Sequence, residues 1–224
     1  MFIDKSMTRR VITIGPDAGV LEARGKMEEN GIRHLPVVDE DNKVIGMITD
    51  RDIRSALPSV FSTCREDTKE IQRISALKVG DVMNKKVITT SPMDTLGDAL
   101  LRMHKSNMGA LPVVDLDGKL KGIISRRDLI GAFISVLGIE EPGTLLCLVA
   151  EEKVGQMKKI VDAITEEGIP FGSILVARHW EKDKRVVFPY LLTLNVAKVK
   201  RKLENMGYTL LDPMEWSLGQ TRKS

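Results

Sequence analysis

RHLPVVDEDNKVIGMITDRD, residues 33–52, and GALPVVDLDGKLKGIISRRD, residues 109–128, are two versions of one stretch. Each has an LPVVD run, a polar turn and a second apolar run. Each then ends on glycine, two apolar residues, a hydroxyl residue, two polar residues and an aspartate. Moving outward, VITIGP at 11–16 returns as VITTSP at 87–92, and Met7 returns as Met83. The offset is 76 throughout, with no gap, so the chain contains two copies of one unit.

The unit's elements follow from its pattern. Val11–Ile14 is a β-branched run that predicts a short strand, ended by Gly15-Pro16. Val20, Ala23 and Met27 recur at helical spacing up to Asn30-Gly31, which stops the helix. Leu35–Val38 and Val44–Ile48 predict a hairpin around the turn Asp39–Asn42, and Thr49 opens a second helix. The second copy repeats this β-α-β-β-α order, with Asp115–Gly118 as its turn. One unit of roughly 50 residues buries little surface alone, so the pair is expected to fold together. The expected bounds are 1–60 for the first copy, 61–78 for the connection and 79–138 for the second. Pro58 and the polar run Ser62–Thr68 suggest helix, break, helix in that connection.

Composition narrows the function classes. At 224 residues the chain suggests about two domains. A net charge of +3 without a long Lys/Arg run, and only 4% aromatic residues, argue against a nucleic-acid surface. No run approaches the roughly 20 apolar residues of a membrane span, and no signal-like stretch opens the chain. Cys64 and Cys147 stand apart, so neither a zinc site nor a disulfide framework is expected. The chain reads as cytoplasmic and as needing no bound cofactor. It has no Walker loop, Rossmann glycine fingerprint or hydrolase-like Ser/His/Asp set, so no catalytic residue is assigned. His104 falls on a polar helix face, and His179 lies near a turn with no partner in view.

The repeated hydroxyl and aspartate have two readings. Thr49 with Asp52, and Ser125 with Asp128, have the spacing of a helix capping box. The same groups at a helix start suit a phosphorylated ribose: N–H groups and a hydroxyl for phosphate, a carboxylate for vicinal hydroxyls. Arg51, Arg126 and Arg127 add guanidinium groups beside them.

The LPVVD strand and the G-apolar-apolar-[Thr/Ser]-x-x-Asp motif, each present twice, resemble the CBS domain family over roughly residues 1–135. Its tandem pair, the Bateman module, binds adenosyl ligands. The resemblance implies two composite sites in the cleft between copies. Gly15, Val20, Ile32, Arg33 and His34 would line one, completed by Ser125 and Asp128. Ser91, Leu96, Met108, Gly109 and Ala110 would line the other, completed by Thr49 and Asp52. Asp50 in one copy stands where the other has Arg126, so the Ser125 site is expected to prefer more phosphates. AMP, ADP, ATP, S-adenosylmethionine and NAD all carry the adenosine such sites read. The family also implies a homodimer.

After Glu140-Glu141-Pro142-Gly143, which reads as a boundary, the pattern changes. Thr144–Ala150 predicts a strand, Val154–Glu167 an amphipathic helix stopped by Gly168, and Ile169–Ala177 and Arg185–Leu194 two strands around Glu181–Lys184. Asn195 is the expected cap of a helix carrying Val196, Val199, Leu203 and Met206, ended by Gly207, and Tyr208–Leu211 a last strand. The fold class is therefore α/β (α+β): a β-α-β-β-α pair followed by a ferredoxin-like βαββαβ sandwich over 143–214, with a tail at 215–224. The sandwich resembles an ACT domain, with Gly155 at the first β–α turn. That resemblance implies either an amino acid or similar small metabolite as ligand or a purely dimerising fold, since the turn Glu151–Gly155 is acidic and lysine-bearing where the family has a Pro-Gly-like form. RNA-recognition motifs share the topology, but Phe188-Pro189-Tyr190 lacks their glycine–aromatic pattern, and Pro189 implies an edge or a bulge. Together the parts are similar to acetoin-utilization regulatory proteins. The expectation is a non-catalytic sensor that passes a signal through Leu129–Ile139 to the sandwich or to a protein partner. Its rivals are a scaffold with vestigial sites and a nucleotide-using enzyme.

Overall fold

Two compact units divide the chain, Met1–Ile130 and Gly131–Ser224. The computed structural model describes residues 1–57 and 76–211. The helices expected around Pro58 and Ser62–Thr68, Cys64 and the tail at 215–224 lie outside the described residues, as does the side chain of His179. The division falls within a helix, ahead of Glu140–Gly143.

In the first unit, α1 (Val20–Asn30) presents Val20, Ala23 and Met27 to the core and ends where Gly31 turns left-handed at φ 62°. β1 (His34–Val38) and β2 (Val44–Thr49) form an antiparallel hairpin that pairs Leu35 with Ile48 and Val37 with Gly46. α2 (Asp50–Ala56) follows directly, and α3 (Val79–Val82) packs back on this copy. The second copy repeats the plan with α4 (Leu96–Ser106), β3 (Ala110–Val114), β4 (Leu120–Ser125) and α5 (Arg126–Leu137). Leu35, Val37, Ile48 and Ile53 fill one core, while Leu111, Val113, Ile124 and Leu129 are buried in the other copy.

Val11–Ile14 is not a strand. Only Ile14 pairs, in parallel with Val37; its N–H donates to the Pro36 carbonyl and its carbonyl accepts from Val38. The next rung toward Ile12 needs an N–H at Pro36, which proline lacks. The same holds at Thr90, which bridges Val113 and bonds Pro112 and Val114.

The copies exchange their leading segments. Thr8, at the start of the first copy, pairs with Ile123 of the second; Asn84, at the start of the second copy, pairs with Met47 of the first. The glycines of the repeated motif make this approach feasible. A β-carbon on Gly122 would lie 2.6 Å from the Met7 sulfur, and one on Gly46 would collide with Met83. The hairpin tips also join, where Val44 donates to the Gly118 carbonyl and Leu120 to that of Asn42.

In the second unit, β5 (Thr144–Leu145), β6 (Leu148–Glu151), α6 (Gln156–Thr165), β7 (Phe171–Glu181), β8 (Lys184–Leu191), α7 (Ala197–Asn205) and β9 (Thr209–Leu210) follow in order. The antiparallel sheet runs β9-β6-β8-β7, with β5 also on β8. That is the strand order of a ferredoxin-like βαββαβ sheet. Leu148, Ile160, Ile164, Val187, Val199 and Leu203 form its core.

Several expectations change here. The strand expected over Thr144–Ala150 is interrupted at Leu146-Cys147, opposite Pro189. Pro189 itself sits in β8, between β6 and β7, not at an edge. Val154 is fully exposed and outside α6, because Gly155 at φ 91° starts the helix. Val196, not Asn195, is the residue before α7, and Met206 is exposed.

Candidate functional site

β2 delivers Thr49 to the start of α2, and the register of β4 delivers Ser125 to the start of α5. Both hydroxyls close a cap. The Thr49 hydroxyl accepts from the Asp52 N–H at 3.3 Å, and Asp52 Oδ2 accepts from the Thr49 N–H at 2.9 Å and from its hydroxyl at 2.6 Å. Ser125 and Asp128 repeat this, with Asp128 Oδ2 accepting at 2.7 Å from both the N–H and the hydroxyl. Each cap uses one carboxylate oxygen. Oδ1 of Asp52 and of Asp128 has no partner among the described residues, so capping and ligand contact are compatible.

One cleft of about 380 Å³ opens at the first motif. Thr49 lines it from the end of β2, Asp50, Arg51, Asp52 and Arg54 from α2, and Asn107, Met108 and Gly109 from the other copy. Arg33, His34 and Arg126 reach it too. Sequence reasoning brought Thr49, Asp52, Met108 and Gly109 together, and the structure does so as well. It differs on Arg33 and His34, which were grouped with Ser125 and Asp128 but line the Thr49 cleft. Gly15, Val20, Ile32, Ser91, Leu96, Ala110, Ser125, Arg127 and Asp128 do not line it. Val20, Leu96 and Ala110 are core residues. Ser91 instead serves a turn, where its N–H donates to Asp94.

The expected phosphate preference of the Ser125 motif relied on Arg126 staying beside it. Arg126 turns away: its Nε donates to the Met108 carbonyl at 3.1 Å and its Nη2 to Asn107 Oδ1 at 3.4 Å. Asp50, the expected repulsive group, is paired at 2.7 Å with Arg54 one turn along α2. Sequence reasoning also missed Asn84, Asn107 and Arg54 as lining residues. Their only signal is position, next to the segment exchange or the motif.

His34 lies at the seam, against Gly109. Burial holds its imidazole below the usual histidine range, and the Arg126 guanidinium pushes in the same direction. Asp52 opposes this and Arg33 adds to it. A neutral imidazole can both donate and accept a hydrogen bond in the cleft.

In the second unit, a cleft of about 260 Å³ lies beside Gly155, lined by Glu151, Lys153, Gln156, Arg178 and Arg185 among others. The Arg185 Nε is buried without a partner among the described residues. No His/Cys/Asp/Glu group among the described residues has the geometry of a metal site, and none of their helices is long and apolar enough to cross a membrane. Burial raises the Cys147 thiol above its usual range, which makes it a poor nucleophile.

The family model for the CBS domain matches residues 3–59 and 79–135. A CBS domain-containing protein of Dictyostelium discoideum is 32% identical over 137 residues, which cover 61% of this chain and 94% of that protein. Other curated relatives are longer, including inosine-5'-monophosphate dehydrogenases of which the chain spans 22% and 23%. Among solved structures, CBSX2 of Arabidopsis thaliana in complex with AMP is 30% identical, with a TM-score of 0.50 over 59% of this chain and 96% of that one. A Vibrio cholerae protein assigned to acetoin utilization is 27% identical, with a TM-score of 0.52 over 63% and 98%.

Proposed function

From the premise that the chain belongs to the CBS domain family, we propose that it is a non-catalytic regulatory protein that senses an adenosyl ligand in the Thr49–Asp52 cleft. The observation that carries this is the unused Oδ1 of Asp52 in a cleft lined by Arg33, Arg51 and Arg126. The carboxylate takes the ribose hydroxyls, the guanidinium groups take phosphate, and His34 and Met108 stand beside the base. A structural neighbour in complex with AMP supports this ligand class. Ser125 and Asp128 hold a second, weaker site, which keeps its carboxylate but lacks Arg126. Gly15, Ile32 and Arg127 belong to that site, with Val20 in the core beneath it.

The ligand acts by preferring one arrangement of the copies over another. That change passes along α5 into the second unit, an ACT-like domain whose cleft beside Gly155 suits a small carboxylate such as an amino acid. The protein works as a cytoplasmic homodimer with a protein partner, and the Vibrio cholerae neighbour favours a role in acetoin utilization. The copies extend over 1–60 and 79–138, and the ACT-like domain over 143–214.

One observation favours a second reading. Both hydroxyl–aspartate pairs are complete as caps without a ligand, as they would be in a scaffold with vestigial sites. Calorimetric titration with AMP, ADP, ATP, S-adenosylmethionine and NAD separates the two. The sensor binds at least one with micromolar affinity and loses it in the Asp52→Ala/Asp128→Ala chain; the scaffold binds none. Each substitution also removes the carboxylate half of a capping box, at a cost of about 1 kcal/mol or less, so the titrations belong well below the variant's melting temperature.

A further inference from the structure

Four guanidinium groups line the Thr49 cleft, and they arrive from both copies: Arg33 before β1, Arg51 and Arg54 on α2, and Arg126 at the start of α5. The carboxylates facing them are Asp50 and Asp52. Asp50 is paired with Arg54, and Asp52 is committed through Oδ2 to the cap. His34 adds no opposing charge. The guanidinium groups of Arg33 and Arg51 make no hydrogen bond or ion pair among the described residues, although the Arg33 carbonyl accepts from the Asp50 N–H. Arg126, which also lines the cleft, is held in place through Nε and Nη2 on Met108 and Asn107, which leaves Nη1 without a hydrogen bond among the described residues. The result is a surplus of positive charge spread over the seam.

We infer that this cleft selects adenosyl compounds carrying two or more phosphates and rejects the cationic, sulfonium-bearing ones. The inference rests on the proposed function and narrows it. One phosphate needs one guanidinium, whereas a chain of two or three reaches from the α2 side to Arg126 on the opposite copy. A sulfonium with its ammonium group would enter an already positive cleft with no carboxylate free to receive it except Asp52. Arg126 opens α5, so the polyphosphate end of the ligand, not the adenosine end, grips the helix that leads out of the first unit.

The test is calorimetry on the full chain carrying Asp128→Ala, so that the remaining heat belongs to the Thr49 cleft. The probes are adenosine, AMP, ADP, ATP and S-adenosylmethionine, at two ionic strengths. ADP and ATP are expected to bind about tenfold or more tightly than AMP, with S-adenosylmethionine weakest of the charged ligands. Added Arg126→Met is expected to remove about tenfold from ADP and ATP while leaving adenosine within about twofold. Arg126→Lys is expected to restore part of the loss and to show that the fold is intact. Raised salt weakens ATP more than adenosine. S-adenosylmethionine as tight as ADP, or an equal loss for adenosine and ATP in Arg126→Met, overturns the inference but leaves an adenosyl sensor standing. If none of the five binds, the sensor reading fails and takes this inference with it.

Discussion

The His34 imidazole fills the space that a side chain on Gly109 would need: its Nε2 lies 2.7 Å from the position of a β-carbon there. The two residues come from different copies, one position apart in the repeat, because Arg33 aligns with Gly109 and His34 with Ala110. Gly109→Ala forces the imidazole aside, at an expected cost of about 1 kcal/mol, since the end of a side chain can give where a backbone cannot. In His34→Ala/Gly109→Ala the collision disappears. A double-mutant cycle by urea denaturation should therefore show strongly non-additive losses. Additive losses would mean that the imidazole rests elsewhere.

The same histidine sets a pH dependence. Burial, Arg126 and Arg33 lower its pKa in the folded chain, against Asp52, while the unfolded value stays near 6.5. Arg51, Arg54 and Asp50 complete the charged groups of the cleft. Between the two pKa values the unfolded chain binds the extra proton, so stability falls as pH drops below 6.5 and levels off beneath the folded value. His34→Asn removes this slope. Asp94 adds a separate step. Its carboxylate is lowered first by the Ser91 N–H and further by Thr90 and Arg102, so its contribution is present above about pH 3.8 and lost below it. Denaturant midpoints from pH 8 to 3 would reveal both steps, and an unchanged slope in His34→Asn would contradict the first.

The glycines of the repeated motif predict another pair of couplings. Gly46→Ala drives a methyl group into Met83, and Gly122→Ala drives one into Met7 and to 3.0 Å from the Thr8 carbonyl. Overpacking of this kind costs about 1–3 kcal/mol. Met83→Ala should relieve most of the Gly46→Ala loss, because the three atoms nearest the new methyl group all belong to the Met83 side chain. Met7→Ala should relieve less of the Gly122→Ala loss, because backbone remains in the way. Thermal melts of the four single and two double variants would check this, and equal rescue in both copies would count against the exchanged segments.

These pairs show what the repeat made legible. Its period gave both hairpins, both caps and the meeting of Thr49 and Asp52 with Met108 and Gly109, because those depend on local spacing and on near symmetry. It could not give the destination of Arg126. That depends on Asn107 and Met108, which receive its guanidinium and whose counterparts in the first copy, Gly31 and Ile32, differ. Nor could it give the fate of Val11–Ile14. The run is a good strand by composition, but Pro36 on the neighbouring strand withholds the donor the next rung requires. Near symmetry is informative where the copies agree and misleading where they differ.

Pro189 offers the last prediction. Thr144 pairs with Leu191 and Leu148 with Val187, so Leu146 and Pro189 face each other in unbroken register. The Leu146 N–H donates to the Pro189 carbonyl at 3.0 Å, but proline returns no bond, and β5 and β6 separate there. On its other side Pro189 lies opposite Ile174 of β7 with its carbonyl turned toward Leu146, so the missing donor affects only the β5–β6 side of the strand. Pro189→Val supplies the missing donor. The new bond contributes about 0.5–1.5 kcal/mol, and the greater freedom of the unfolded chain offsets about 0.4–1 kcal/mol of it. The net change in stability should thus be small and favourable, with β5 and β6 merging into one strand. Amide hydrogen exchange reads this directly: in Pro189→Val the new amide at 189 should be as protected as that of Val187. Rapid exchange at 189 would show that something other than the proline divides the strand.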